Sequence, residues 1–353
     1  MRMAVGQGAR PTDEYLSFAR QIGAAGVQFN TPDLPGVRRW ELADLIALRE
    51  RVESYGLRLE AIENLPNSFY ADAMLGLPGR DAEIEHVIAT VQGLGQAGIP
   101  LLGFHWMPTS VWRTSVLPEG RGGAVVSAFD LTLARHPELA DQIYVARRDQ
   151  RVEDQKDSWT RGAHFDIGLV RSDAQMWAAF EYFVAAVAPA AEEAGVTIAV
   201  HPDDPPVPEL GGIARIFRSL DAVRRAADFW PGPGFGIELC LGTISEMGGQ
   251  EAVLEAIGYL APRGKIAYVH LRDVRGTVPA FTECFLGEGN YDPATVLRAL
   301  RTGGFRGFIL DDHTPALVGD SPYGHRGRAF TLGYIQGLIE MMNHDDRQLT
   351  GDR

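Results

Sequence analysis

Cysteine is scarce in this chain of 353 residues. Cys240 and Cys284 are the only two, too few for a disulfide framework, and their scarcity fits a reducing compartment such as the cytoplasm. No apolar run approaches the roughly 20 residues that a membrane helix needs. The N-terminus also lacks the basic-then-apolar layout of a secretion signal, so neither a membrane nor export is expected. Positive charge is in deficit: 33 Lys and Arg stand against 46 Asp and Glu, a net charge of −13. That balance argues against nucleic acid as a partner, because phosphate backbones reward basic surfaces. A glycine-rich phosphate turn is missing after the first apolar run, which disfavours an open dinucleotide-binding sheet.

What is present is an alternation. Eight short apolar runs end in polar or glycine residues: "MAVG" at Met3, "GVQFN" at Gly26, "LRLEAIEN" at Leu57, "PLLGFHW" at Pro100, "VTIAVHP" at Val196, "GFGIELCLG" at Gly234, "KIAYVHLRDV" at Lys265 and "GFILDDH" at Gly307. Helical periodicity lies between them, as in "ELADLIALRERVESYG" and "AEIEHVIATVQGLGQAG", both closing on a glycine suited to a left-handed cap. Eight such alternations predict a single α/β catalytic domain over residues 1–353, a (β/α)8 TIM barrel. The rhythm breaks once, over 107–172, a stretch rich in Arg, Asp, Gly and Trp that follows the fourth strand. A lid over the site, a decorative subdomain and a contact between copies are all open readings of this insertion.

Barrel enzymes carry their chemistry at the C-terminal ends of the strands. Strand five ends in His201, strand six carries Cys240, strand seven ends in His270, and strand eight ends in Asp311, Asp312 and His313. A strand-end histidine alone is commonly a structural hydrogen-bonder, and a cysteine in an apolar run commonly a small hydrophobe. Two imidazoles, a thiol and a carboxylate on four successive strand ends are instead the donor set of a divalent transition metal.

These residues carry a resemblance. The segments "HPDDPP" at His201, "CLGTISEMGG" at Cys240, "VHLRDV" at Val269 and "DDH" at Asp311, with "GFHWMPTSVWRTS" and "YGHRGRAFTLGYIQGL", resemble the mannonate dehydratase family in their order along the chain. That family belongs with the xylose isomerase-like barrels. The resemblance implies Mn²⁺, or another divalent ion, held by His201, Cys240, His270 and Asp312. It also implies acid–base work for Asp312, His313 and Tyr323, and dehydration of a sugar acid to a 2-keto-3-deoxy product. Such a reaction breaks a C–H bond beside a carboxylate and expels a hydroxyl two carbons along, so it needs a proton donor and a Lewis acid. A related isomerase or epimerase, and a non-catalytic sugar-binding relative, remain alternatives.

Further residues are expected to bind substrate. Arg272 is the first candidate to grip a carboxylate, with a bond to Asp273 as the alternative. Asp203 and Asp204 either bind hydroxyls and steer His201 or simply form a turn. His105 is placed on the pocket wall, while Trp106 is expected to pack in the core. The partners expected are a small sugar acid or sugar derivative and further copies of this chain. The chain departs from the family where substrate is chosen: Leu310 and Asp311 stand for an Arg-Pro pair, Asn67-Ser68-Phe69-Tyr70 for a charged run, and a histidine near Leu286 is missing. If these positions face the substrate, the pocket loses ionisable groups and gains aromatic surface, and D-mannonate itself is a poor substrate.

Overall fold

A computed structural model describes residues 1–136, 144–146, 159–161 and 168–350. Eight parallel strands close into a barrel in sequential order. They are β1 (Arg2–Gly8), β2 (Gly26–Asn30), β3 (Arg58–Glu63), β4 (Leu101–His105), β5 (Thr197–His201), β6 (Phe235–Cys240), β7 (Ile266–His270) and β8 (Phe308–Leu310). All eight coincide with the apolar runs picked out above, and the closed barrel agrees with the predicted fold class. The two glycines that end the quoted helical stretches, Gly56 and Gly98, take φ of 68° and 73°, the left-handed conformation that a Cβ disfavours.

The period of two along a strand decides what enters the barrel. On β7, Tyr268 and His270 point inward; on β6, Glu238 and Cys240; on β5, Ala199 and His201. The lower inward layer is apolar, an isolated cluster of Ala4, Ala61, Ala199, Tyr268, Phe308 and Leu310. The polar ligands sit one pleat above it, at the C-terminal mouth. Tyr268 stacks on Phe308 at 5.1 Å and donates from its hydroxyl to Glu238 Oε2 at 2.6 Å. It reaches that carboxylate by crossing the space in front of Gly103.

The excursion after β4 pairs with the loop after β7. Val126–Asp130 hydrogen-bonds antiparallel to Ala280–Cys284, which turns back on Asp273–Thr277 as a hairpin. Together with Ser115–Leu117 they form one four-stranded sheet on the C-terminal side. Residues 137–143, 147–158 and 162–167 of the 107–172 insertion, for which a lid, a subdomain and a contact between copies are open, lie outside the described residues.

Several departures from the family pattern prove to lie in the core rather than at the rim. Phe69 and Tyr70 are both buried, Phe69 against Trp40 and Tyr70 donating its hydroxyl to the His105 carbonyl at 2.8 Å. Leu310 fills the apolar layer inside the barrel. The expectation that the pocket gains aromatic surface is therefore wrong: a run of four residues does not reveal which of them turn inward. Trp106, by contrast, packs in the core as expected, against Phe180 and Phe183.

Gly103 tests this packing. A Cβ there would overlap the Tyr268 hydroxyl and crowd Glu238 Oε2. Gly103→Ala is expected to cost about 1–3 kcal/mol by overpacking, read as a lower midpoint in urea unfolding. An unchanged midpoint would show that Tyr268 has room to move aside.

Candidate metal centre

His201, Cys240, His270 and Asp312 are all buried and converge so that one donor atom from each lies within 4.8 Å of the others. The barrel does this by register. Cys240 lies level with His270 across β6 and β7, and His270 with Leu310 across β7 and β8. Asp312, two residues beyond Leu310, turns to the same side.

Each ligand candidate is oriented by a neighbour. His201 Nδ1 is 2.5 Å from the Pro202 carbonyl, an acceptor only, so Nδ1 carries the proton and Nε2 is left to face the cluster. His270 is held the other way round. Its Nε2 lies 3.1 Å from Glu238 Oε1 and 3.2 Å from Glu63 Oε2, and its Nδ1 lies 3.6 Å from Asp312 Oδ2. Cys240 immediately precedes a helix, Leu241–Leu260, whose N-terminal dipole favours a thiolate. Burial alone would raise that thiol, but Arg272 and His201 override it and hold it well below its usual range.

The charge of the cluster calls for a cation. Burial should lower both imidazoles, yet Glu238 and Cys240 push His201 up to about 9, and Glu63 and Glu238 push His270 well above its ordinary value. Without an ion, the anions around the site recruit protons onto its histidines. Both ring nitrogens of His270, Glu238 Oε1 and Asp312 Oδ1 also lack a hydrogen-bond partner although buried. Soft and borderline donors, unpaired buried atoms and surplus negative charge all fit a divalent transition metal.

Glu63, Glu238 and His270 form a second metal-capable group, but Glu63 is already supplied with donors. Gln7, Asn30 and Asn64 give it side-chain N–H groups at 3.2–3.3 Å, and Gln28 gives another. A carboxylate surrounded by amide N–H groups suits the imidazole N–H of His270 better than a cation. Burial and the nearby Glu63 raise Glu238 to about 8. Sequence reading passed over both glutamates, although an acid embedded in an apolar strand, as in "LRLEAIEN" and "GFGIELCLG", was the signal available.

The expected substrate-binding residues find other tasks. Arg272 is enclosed by the protein's own acids: Nε donates to Asp312 at 2.9 Å, Nη1 to Glu246 at 2.8 Å, and Nη2 to Asp204 at 2.5 Å and Thr243 at 3.0 Å. It therefore stabilises a ligand candidate rather than facing open space, and its expected alternative partner Asp273 bonds Ser245 and the Val274 and Tyr291 amides instead. Asp204 also takes two bonds from Arg113, at 2.5 and 2.9 Å, so the carboxylate is held below its usual range against the effect of burial. Asp203 accepts from the Phe217 amide at 2.5 Å, the turn-forming reading. His105 is buried at the end of β4, its Nδ1 accepting from the Met107 amide at 3.2 Å. His313 bonds Glu283, Nδ1 to Oε1 2.6 Å, while its Nε2 lies 3.7 Å from Asp312 Oδ1. Tyr323 donates to the Gly6 carbonyl at 2.6 Å and packs edge-on against Tyr15. Asp311 accepts from Gly6 N at 3.3 Å and pairs with Arg328.

The sequence profile of the D-mannonate dehydratase (UxuA) family matches residues 1–348. A mannonate dehydratase of Streptococcus suis is 30% identical over 326 residues, covering 90% of this chain and 87% of the relative. A mannonate dehydratase 2 of Halalkalibacterium halodurans is 29% identical over 346 residues, covering 94% and 97%. The crystal structure of mannonate dehydratase from Streptococcus suis serotype 2 superposes with a TM-score of 0.81 at 28% identity, over 99% of this chain and 96% of that one. An L-ribulose 3-epimerase structure shares the fold at a TM-score of 0.58 and 14% identity, over 99% and 97%.

The two tasks considered for Arg272 separate experimentally. Removing a guanidinium that neutralises buried carboxylates costs about 3–5 kcal/mol, so Arg272→Met should unfold at much lower urea, with or without added metal. A residue that only gripped substrate would leave the midpoint unchanged and raise KM alone.

Proposed function

The chain belongs to the D-mannonate dehydratase family and is a sugar-acid hydro-lyase, and we propose that it works with one divalent cation, Mn²⁺ first, held by His201, Cys240, His270 and Asp312. The observation that carries this is the meeting of those four donors within 4.8 Å at the ends of successive strands. Such an ion supplies Lewis acidity for the negative charge that develops beside the substrate carboxylate. The substrate class is a small aldonic acid or a derivative of one.

The protein's own groups then divide the remaining work. His313 Nε2 is assigned as the proton-transfer atom, since Nδ1 is tied to Glu283. Asp312 is held ionised by His313 and His270 against the effect of burial, which keeps its second oxygen available as a ligand. Arg272 and Arg113 fix the surrounding acids and exclude water from the wall of the site. Tyr323 takes part in proton transfer only if its hydroxyl leaves the Gly6 carbonyl. The cytoplasm suits a site that depends on a thiolate, and among the described residues no helix is long and apolar enough to cross a membrane.

Three measurements test this reading. Chelation followed by Mn²⁺ reloading should give about one equivalent per chain, as expected for a single four-donor site, and Cys240→Ala should lose most of it; full retention would remove the thiolate from the ligand set. His313→Asn should keep the metal and lose about 10²–10⁴-fold in kcat. Loss of the metal instead would make His313 a ligand. In a panel of aldonic and uronic acids the product should be lighter than substrate by one water, and retained mass would point to isomerisation. Within that panel D-mannonate is expected to be slower than another sugar acid, because Leu310, Phe69 and Tyr70 turn into the core and leave the rim without the arginine and charged run of the family pattern. A kcat/KM on D-mannonate of about 10⁴ M⁻¹s⁻¹ or more, the highest of the panel, would overturn that specificity.

A further inference from the structure

We propose that Glu283 is the positioning residue of the proton-transfer histidine: its carboxylate accepts Nδ1–H of His313 and thereby presents Nε2 to the substrate. This rests on the acid–base reading of His313 given above and adds a residue outside the barrel strands, on the hairpin that follows β7.

The geometry leaves one tautomer. Glu283 Oε1 and His313 Nδ1 are 2.6 Å apart, and Glu283 is 7% exposed. The same oxygen takes two bonds from Arg113, from Nη2 at 2.7 Å and from Nε at 3.2 Å. With two N–H groups of the Arg113 guanidinium donating to the same oxygen, Glu283 is a carboxylate and an acceptor only. The ring nitrogen facing it must then carry the hydrogen. Arg113 Nη2 is also 3.4 Å from His313 Nδ1, but a guanidinium only donates, and a lone pair directed at it would oppose the carboxylate at shorter range. With Nδ1–H committed, Nε2 is the atom that exchanges a proton, and it lies on the side of Asp312 Oδ1.

Glu283 is itself held in place from two directions. Its strand pairs with Val126–Asp130 from the excursion after β4, and that excursion also supplies Arg113, buried with Asp204 as its second partner. Arg113, from the excursion after β4, therefore bears on proton transfer through Glu283.

The test is the tautomer. Protein labelled with ¹⁵N-histidine and loaded with diamagnetic Mg²⁺ or Zn²⁺ should show the neutral His313 ring, assigned by its loss in His313→Asn, protonated at Nδ1. An Nε2–H ring in the wild-type protein overturns the proposal whatever any variant does. In Glu283→Leu, Nδ1 is left facing Arg113, so the ring should flip to Nε2–H. There kcat should fall about 10–100-fold, the usual cost of losing such a partner, while KM and metal content stay within about twofold. Glu283→Gln keeps a carbonyl acceptor toward Arg113 and should fall between wild type and Leu. A Leu variant with an Nδ1–H ring or wild-type kcat overturns the proposal. Wild-type turnover in His313→Asn would overturn the acid–base reading of His313 instead, and the tautomer measurement would still decide the Glu283 bond.

Discussion

Two buried guanidiniums hold the mouth of this barrel together. Arg272 joins Asp312, Glu246 and Asp204, and Arg113 joins Asp204 to Glu283. Each acid alone would be costly to bury, and each arginine as well. Interleaved, they fix the positions of the groups that face the centre. Asp204 is the common member, bonded by both arginines, so the turn after β5 is tied to the excursion after β4 and to the segment after β7.

That network also sorts the ionisable groups. Asp204, Glu283 and Asp312 are held below the usual carboxylate range by neighbouring cations against the effect of burial, while burial pushes up Glu238, beside Glu63, and Glu246, which Asp204 crowds although Arg272 bonds it. The two histidines of the cluster are pushed upward by carboxylates and a thiolate. A divalent ion offsets the same negative charge that otherwise draws protons. The proposed metal and the proton balance of the site are thus two answers to one electrostatic requirement.

The excursion after β4 and the hairpin after β7 come from distant parts of the chain and meet as one sheet. Their pairing delivers Arg113 and Glu283 to the site together. In a barrel whose strands supply the metal-capable donors, the loops supply the charges that orient them, which fits the general division between a rigid scaffold and variable βα loops.

The barrel and the four converging donors were legible in the sequence, because both depend on local pattern: apolar runs of strand length, helical spacing between them, and polar residues at the strand ends. Family resemblance added the chemistry expected of the set without geometry being needed. What sequence could not supply is the direction in which a side chain turns after a strand ends. Arg272, next to a ligand candidate and apt for a carboxylate, spends its N–H groups on the protein's own acids. Phe69, Tyr70 and Leu310 sit where the family pattern differs, yet they turn into the core. Glu283 lies in "FTEC", an unremarkable stretch whose place beside His313 exists only because a hairpin pairs with a strand some 150 positions earlier. Local period determines which residues share a face, and long-range pairing alone decides which of them meet.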